Sequence, residues 1–134
     1  MKIEEHETAY NEHSKNLNRL IEEGVEENQR NIGYNLSQGS VELLSIYLHK
    51  LHLFSDSGDK LDHRIFKSNS LIEKRIPFDF PNKKEILKIM EYIELERNII
   101  CYGKRKPEKR VAELINKFNE LRKIINLNLG NKNE

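Results

Sequence analysis

Apolar residues recur at helical spacing along nearly the whole chain, and no stretch alternates with the period of a strand. Over residues 3–28, a helix is expected, with Ile3, Tyr10, Leu17 and Gly24 seven apart. His6, His13 and Leu20 follow three behind, and Ile21 and Val25 complete the stripe. A repeat near 3.5 is the seam of an antiparallel helix pair. The opposite face is rich in glutamate (Glu4, Glu5, Glu22, Glu23, Glu26 and Glu27). A second helix is expected over 31–54. Ile32, Leu36, Leu43, Ile46, Tyr47 and Leu51 form one stripe, with Val41, Leu44 and Leu48 beside it. A helix apolar around most of its girth belongs at the centre of a bundle. Gly33 and Gly39 each weaken it by about 1 kcal/mol relative to alanine where exposed, and Gly39, within the stripe, predicts a close helix crossing.

Residues 55–81 read as a connection. Positions 55–59 have turn chemistry. Ser70 and Glu73 form a capping box that opens a short helix, which Pro77 stops. Phe78, Phe80 and Pro81 are expected to fold onto the bundle as a hydrophobic lid. The third long helix starts at Asn82, the expected N-cap, with Glu85 three residues on. Its buried stripe is Ile86, Ile89, Met90, Ile93, Arg97 and Ile100, and Gly103 ends it. Pro107 sits in the first turn of the fourth helix. That helix buries Val111, Leu114, Ile115, Phe118, Leu121, Ile124 and Ile125 and fades at Gly130. The expected fold is all-α. It is a four-helix antiparallel bundle with a long connection between helices 2 and 3, one domain over 1–130, and a disordered tail at 131–134.

Composition agrees with a folded, helical chain. Of 134 residues, 34% are charged and 37% apolar, with three prolines and six glycines. No apolar run reaches the ~20 residues needed to span a bilayer, so no membrane association is expected. The N-terminus is charged from its first residues, and the cytoplasm is the expected location. One cysteine, Cys101, excludes an intrachain disulfide and a cysteine zinc cluster. At the end of an apolar helix it reads as a buried structural thiol. The net charge of +1 hides an asymmetry. Residues 1–60 hold 6 Lys/Arg against 11 Asp/Glu, net −5, while 61–134 hold 17 against 11, net +6. The two halves pair with each other within or between chains, or the basic half meets an anionic partner.

Motif chemistry is sparse. There is no P-loop, G-x-G-x-x-G, H-E-x-x-H or G-x-S-x-G. His6 and His13 stand roughly 10 Å apart along a helix axis, too far to share one metal. His49 and His52 suit a helix C-terminus. Asp56, Asp59 and Asp62 lack the calcium-loop pattern. No metal and no cofactor is expected. The exception is residues 91–110. Arg97 lies in an apolar stripe, four after Ile93 and three before Ile100, and a buried guanidinium requires a partner. Glu91, Glu94 and acids of the first helix are candidates for an ion pair. The alternative is a phosphate ligand. Tyr102 lies five residues on, and Lys104, Arg105, Lys106, Lys109 and Arg110 put five positive charges into seven residues.

The segment from Glu96 to Gly103, at the end of the third helix of such a bundle, resembles the HEPN (higher eukaryotes and prokaryotes nucleotide-binding) superfamily. The resemblance covers roughly residues 8–127 in architecture and a handful of residues in motif. It implies a homodimer that brings two R-x4–6-H motifs into one cleft. Many members are metal-independent endoribonucleases of toxin–antitoxin pairs, so RNA or a nucleotide and an antitoxin protein become the implied partners. Arg97 matches the motif arginine, which binds the scissile phosphate, and Asn98 the asparagine that often follows it. The motif histidine is absent. Tyr102 stands where the nearest one would be, and a phenol titrating near 10 is a weak base at neutral pH. It can still donate a hydrogen bond or stack on a base. His49 and His63 lie outside the segment and reach it only through the fold. Catalysis through Arg97 and Tyr102 is therefore the weaker expectation. RNA or phosphate binding by Arg97, Asn98, Lys104, Arg105, Lys106, Lys109 and Arg110 is the stronger. The competing reading is a non-catalytic structural or partner-binding bundle in which Arg97 forms an ion pair.

Overall fold

The computed structural model describes residues 1–56 and 60–130. Five α-helices follow in order: α1 (Ile3–Glu23), α2 (Gln29–Lys50), α3 (Asn69–Arg75), α4 (Lys83–Ile100) and α5 (Glu108–Asn128). A 3-10 turn, His63–Lys67, precedes α3, and there is no strand among the described residues. The all-α expectation holds. The helix count is five rather than four, because the connection carries α3. The turn expected at 55–59 lies partly, and the tail at 131–134 wholly, outside the described residues.

Backbone chemistry moves the expected ends. Gly24, at φ +143°, ends α1 five residues early, in a conformation that other residues rarely adopt. His52, at φ +60°, turns the chain out of α2 four residues early. Asn82 precedes α4, but in a left-handed conformation and without capping through its side chain, which bonds Glu85 and Asn128 instead. Ser68, not Ser70, caps α3 by accepting from the Leu71 N–H. Gly103, at φ +82°, follows the end of α4 as expected. Pro107 stands just before α5 rather than inside its first turn.

The stripes point where their periodicity says. His6, Leu17 and Leu20 of α1 are buried, as are all six expected positions of α4. Of the expected α5 positions, Ile115 and Ile124 are half-buried and the rest are buried. Helix α2 is buried around most of its circumference and is the hub, flanked by α1, α4 and α5. Helix α1 approaches no other helix backbone. Contacts between helix ends give the directions. His6 near the start of α1 meets Glu42 far along α2. Tyr47 near the end of α2 meets Pro81, just before α4, and Asn128 at the end of α5. Helices α1 and α4 therefore run against α2 and α5. The lid is present: Phe80 is buried, and a chain of rings runs from Phe54 through Phe78 to Phe80 and Tyr47, edge-on at its two outer contacts and tilted between Phe78 and Phe80.

The close crossing lies at Gly33, not Gly39. A methyl group on Gly33 would stand 3.0 Å from Cys101 Sγ and 3.4 Å from Ile100, whereas on Gly39 it would meet His13 at an ordinary 3.5 Å. The tight contact seats the start of α2 against the end of α4.

Candidate functional site

The C-terminal half of α4 carries three acidic or basic side chains that are largely withdrawn from water: Glu94, Glu96 and Arg97. Each has a different solution. Glu96 receives a two-pronged bond from Arg110 of α5, Nε to Oε1 at 2.8 Å and Nη2 to Oε2 at 3.1 Å. Glu94, whose side chain is 2% exposed, meets His63 Nδ1 at 2.7 Å through Oε1. Its Oε2 accepts from Asn98 Nδ2, one turn on, at 3.3 Å. Arg97 is 9% exposed and makes no hydrogen bond or ion pair among the described residues; its Nε is buried without a partner.

The expected Arg97–Glu94 pair is thus not formed. Three residues apart on a helix, the two side chains are neighbours, but both oxygens of Glu94 are already taken. His63 arrives from the connection. Asp62 opens the 3-10 turn by accepting the Arg64 N–H at 2.9 Å, and the Arg64 guanidinium beside it holds the Asp62 carboxyl well below the usual carboxylate range. Ile65 and Phe66 are buried, which anchors the turn alongside α4. Sequence reasoning treated Glu94 as a partner for Arg97 and left His63 unassigned. A signal was present: Glu94 stands four after Met90 and so borders the buried stripe, making it a second charge that needed a partner.

The basic segment after α4 is less available than its composition suggests. Arg105 donates to the Glu26 carbonyl oxygen. The backbone of Lys106 exchanges two hydrogen bonds with the buried side chain of Gln29, and Arg30 Nη2 donates to the Gly103 carbonyl at 3.0 Å. Arg110 is committed to Glu96. Four of the seven residues expected to bind phosphate therefore serve internal contacts: Asn98, Arg105, Lys106 through its backbone, and Arg110. Lys104 and Lys109 are exposed and carry no hydrogen bond or ion pair among the described residues. Tyr102 is 63% exposed just past the helix end. Beside it, a cleft of ≈ 340 Å³ opens between the start of α2 and the 103–105 turn, with Arg30 and Arg105 in its lining.

Cys101 is half-buried rather than buried, with Sγ 3.5 Å from the Arg30 carbonyl oxygen. Burial pushes its thiol up, against the pull of Arg97 and Arg30, which makes it a poor nucleophile. His6, His13 and His49 pack within the α1–α2 pair, while His52 is exposed past the end of α2. His6 is fully buried, bonded to Glu42 at 3.1 Å, with its ring 5.2 Å from that of His49. His13 bonds Asn35 at 2.9 Å. Among the described residues, no group of three or more His, Cys, Asp or Glu side chains is arranged to hold a metal ion, and no helix is long and apolar enough to cross a membrane.

The end of α4 therefore offers an unpaired, largely buried guanidinium one turn from a carboxylate–histidine pair, with two free lysines and an exposed phenol beyond. No protein-family model, curated protein or solved structure matches this chain.

Proposed function

We propose that this chain is a HEPN-like helical protein that acts as a homodimer and binds RNA or a nucleotide phosphate at the end of α4. In this reading the four long helices form the antiparallel frame of that superfamily, with α3 as an insertion. Arg97 is the phosphate ligand. Asn98, Tyr102, Lys104 and Lys109 border it, and Arg105, Lys106 and Arg110 shape the surface more than they contact the ligand. The implied activity is a metal-independent endoribonuclease of toxin–antitoxin type without the motif histidine, with an antitoxin protein as a further partner.

One observation carries the reading: Arg97 is nine-tenths buried and lacks an ion pair or hydrogen bond among the described residues. A desolvated guanidinium without a carboxylate is costly to the fold, and an oxyanion ligand would relieve that cost. The competing reading, a structural or partner-binding bundle, draws support from Arg105, Lys106 and Arg110, whose internal contacts account for much of the basic run.

Arg97→Met separates the two, since it keeps the apolar stem and removes the charge. The phosphate-ligand reading predicts an unchanged or raised melting temperature and RNA retention about 10–100-fold weaker at low salt, as for a lost charge-assisted hydrogen bond. A stability loss of about 3–5 kcal/mol, the signature of a broken buried pair, together with unchanged RNA affinity, would sink it.

A further inference from the structure

We propose that His63, oriented by Glu94, is the proton-transfer group of this site, supplying from the connection the base that residues 97–104 lack. The inference rests on the RNA-binding and ribonuclease reading above and adds to it the residue that carries the proton and the carboxylate that positions it.

The argument starts from the carboxylate. Glu94 is almost wholly withdrawn from water, and both of its oxygens are engaged, Oε1 by His63 and Oε2 by Asn98. A carboxylate only accepts hydrogen bonds, so Nδ1 of His63 carries the proton and Nε2 presents its lone pair. That second nitrogen makes no hydrogen bond among the described residues, and the His63 side chain as a whole keeps 18% exposure. A pair serving only to pin the connection to α4 has no need of an unbonded Nε2. A buried acid that fixes the tautomer, a second ring nitrogen without a bond and an unpaired guanidinium one turn away are the parts of a general-base site. Tyr102, exposed and without a hydrogen bond among the described residues, is not held in this way. The ring is also rigidly mounted, because buried Ile65 and Phe66 anchor its turn.

The step balances without metal or oxidant. Nε2 of His63 takes the proton of the 2′-hydroxyl, and the 2′-oxygen forms a bond to the adjacent phosphorus. The bond from phosphorus to the 5′-oxygen breaks, and that oxygen takes a proton from water. The products are a 2′,3′-cyclic phosphate and a 5′-hydroxyl end. The proton on His63 returns to solvent. Arg97 faces the negative charge that builds on the phosphoryl oxygens.

The test uses the full chain in EDTA, a fluorescent single-stranded RNA, and its 2′-deoxy counterpart as a probe that binds but cannot react. His63→Asn keeps a donor for Glu94 and removes the base. It is expected to lower kcat by about a hundredfold or more while the Kd for the deoxy probe stays unchanged. Glu94→Gln tests the positioning role: kcat falls with KM and probe Kd unchanged, a split that a loosened fold would not give. Circular dichroism checks both variants, and Glu94→Gln decides alone if His63→Asn unfolds. A wild-type chain that binds the probe but never cleaves RNA overturns the His63 assignment and leaves the binding reading standing. So does a folded His63→Asn that cleaves at the wild-type rate. A wild-type chain that retains neither RNA nor probe overturns both.

Discussion

Arg97 and Glu94 stand three apart on one helix and carry opposite charge, yet they do not meet. Periodicity alone placed Arg97 correctly in the buried stripe. What it could not reveal was the competition for Glu94, because His63 comes from a connection whose path no helical repeat describes. A similar gap separates the two glycines. Both lie on α2 and read alike in sequence, but only Gly33 touches the end of α4 at the limit of contact. Replacing each by alanine distinguishes them. Gly39→Ala has room and gains helix propensity, so it should raise stability by up to ~1 kcal/mol. Gly33→Ala presses on Cys101 Sγ and on the buried, β-branched Ile100, and should lower stability by about 1 kcal/mol net. Urea unfolding of both variants gives the comparison. Equal effects would mean that the α2–α4 contact is looser than its distances.

Among the elements, the long helices were the readable part. Their stripes follow from amphipathic spacing, and the burial of α2 follows from its two adjacent apolar faces. Their ends were not readable, since they depend on left-handed turns at Gly24 and His52 and on side chains that choose distant partners. Asn82 is the clearest case. It has the residue type of an N-cap, but its side-chain oxygen Oδ1 accepts from Asn128 Nδ2 of α5 at 2.9 Å. The same corner is joined by Tyr47 of α2, which donates to the Pro81 carbonyl at 3.1 Å and accepts from Asn128 at 3.0 Å. One buried phenol thus ties α2, the entry to α4 and the end of α5, and its burial holds the hydroxyl protonated, above the usual phenol range. Tyr47→Phe keeps the ring and removes the oxygen. It should cost about 1–3 kcal/mol, because the Pro81 carbonyl and Asn128 lose a partner, with an unchanged urea m-value. No change in midpoint would mean that water replaces the hydroxyl.

For the whole molecule, the question is what the two charged halves do. The sequence leaves open that they neutralise each other inside one chain. The arrangement argues against that, since acidic α1 packs on α2 and does not approach the backbone of basic α5. The ion pairs seen among the described residues each join partners within 1–60 or within 61–134. Among the described residues the acidic and basic halves therefore do not pair with each other within one chain. Acid–base pairing between copies would be screened away by salt. An apolar contact would persist, and α4 presents one: Leu95 is 48% exposed, and Tyr102 lies seven residues on, with Asn98 between them. Leu95 and Asn98, three apart on α4, share a face, and Tyr102 lies just beyond the end of that helix. A second copy docked there by two-fold symmetry would bring two Arg97 side chains towards one cleft. The expected result is a dimer in sedimentation velocity that survives 1 M salt, where the Debye length is about 3 Å. Leu95→Glu should convert it to a folded monomer and weaken RNA retention at the same time, although position 95 carries no positive charge to lose. A dimer that dissociates in salt and ignores Leu95→Glu would assign the interface to the charged faces. A chain that is monomeric throughout yet retains RNA would confine the site to one copy.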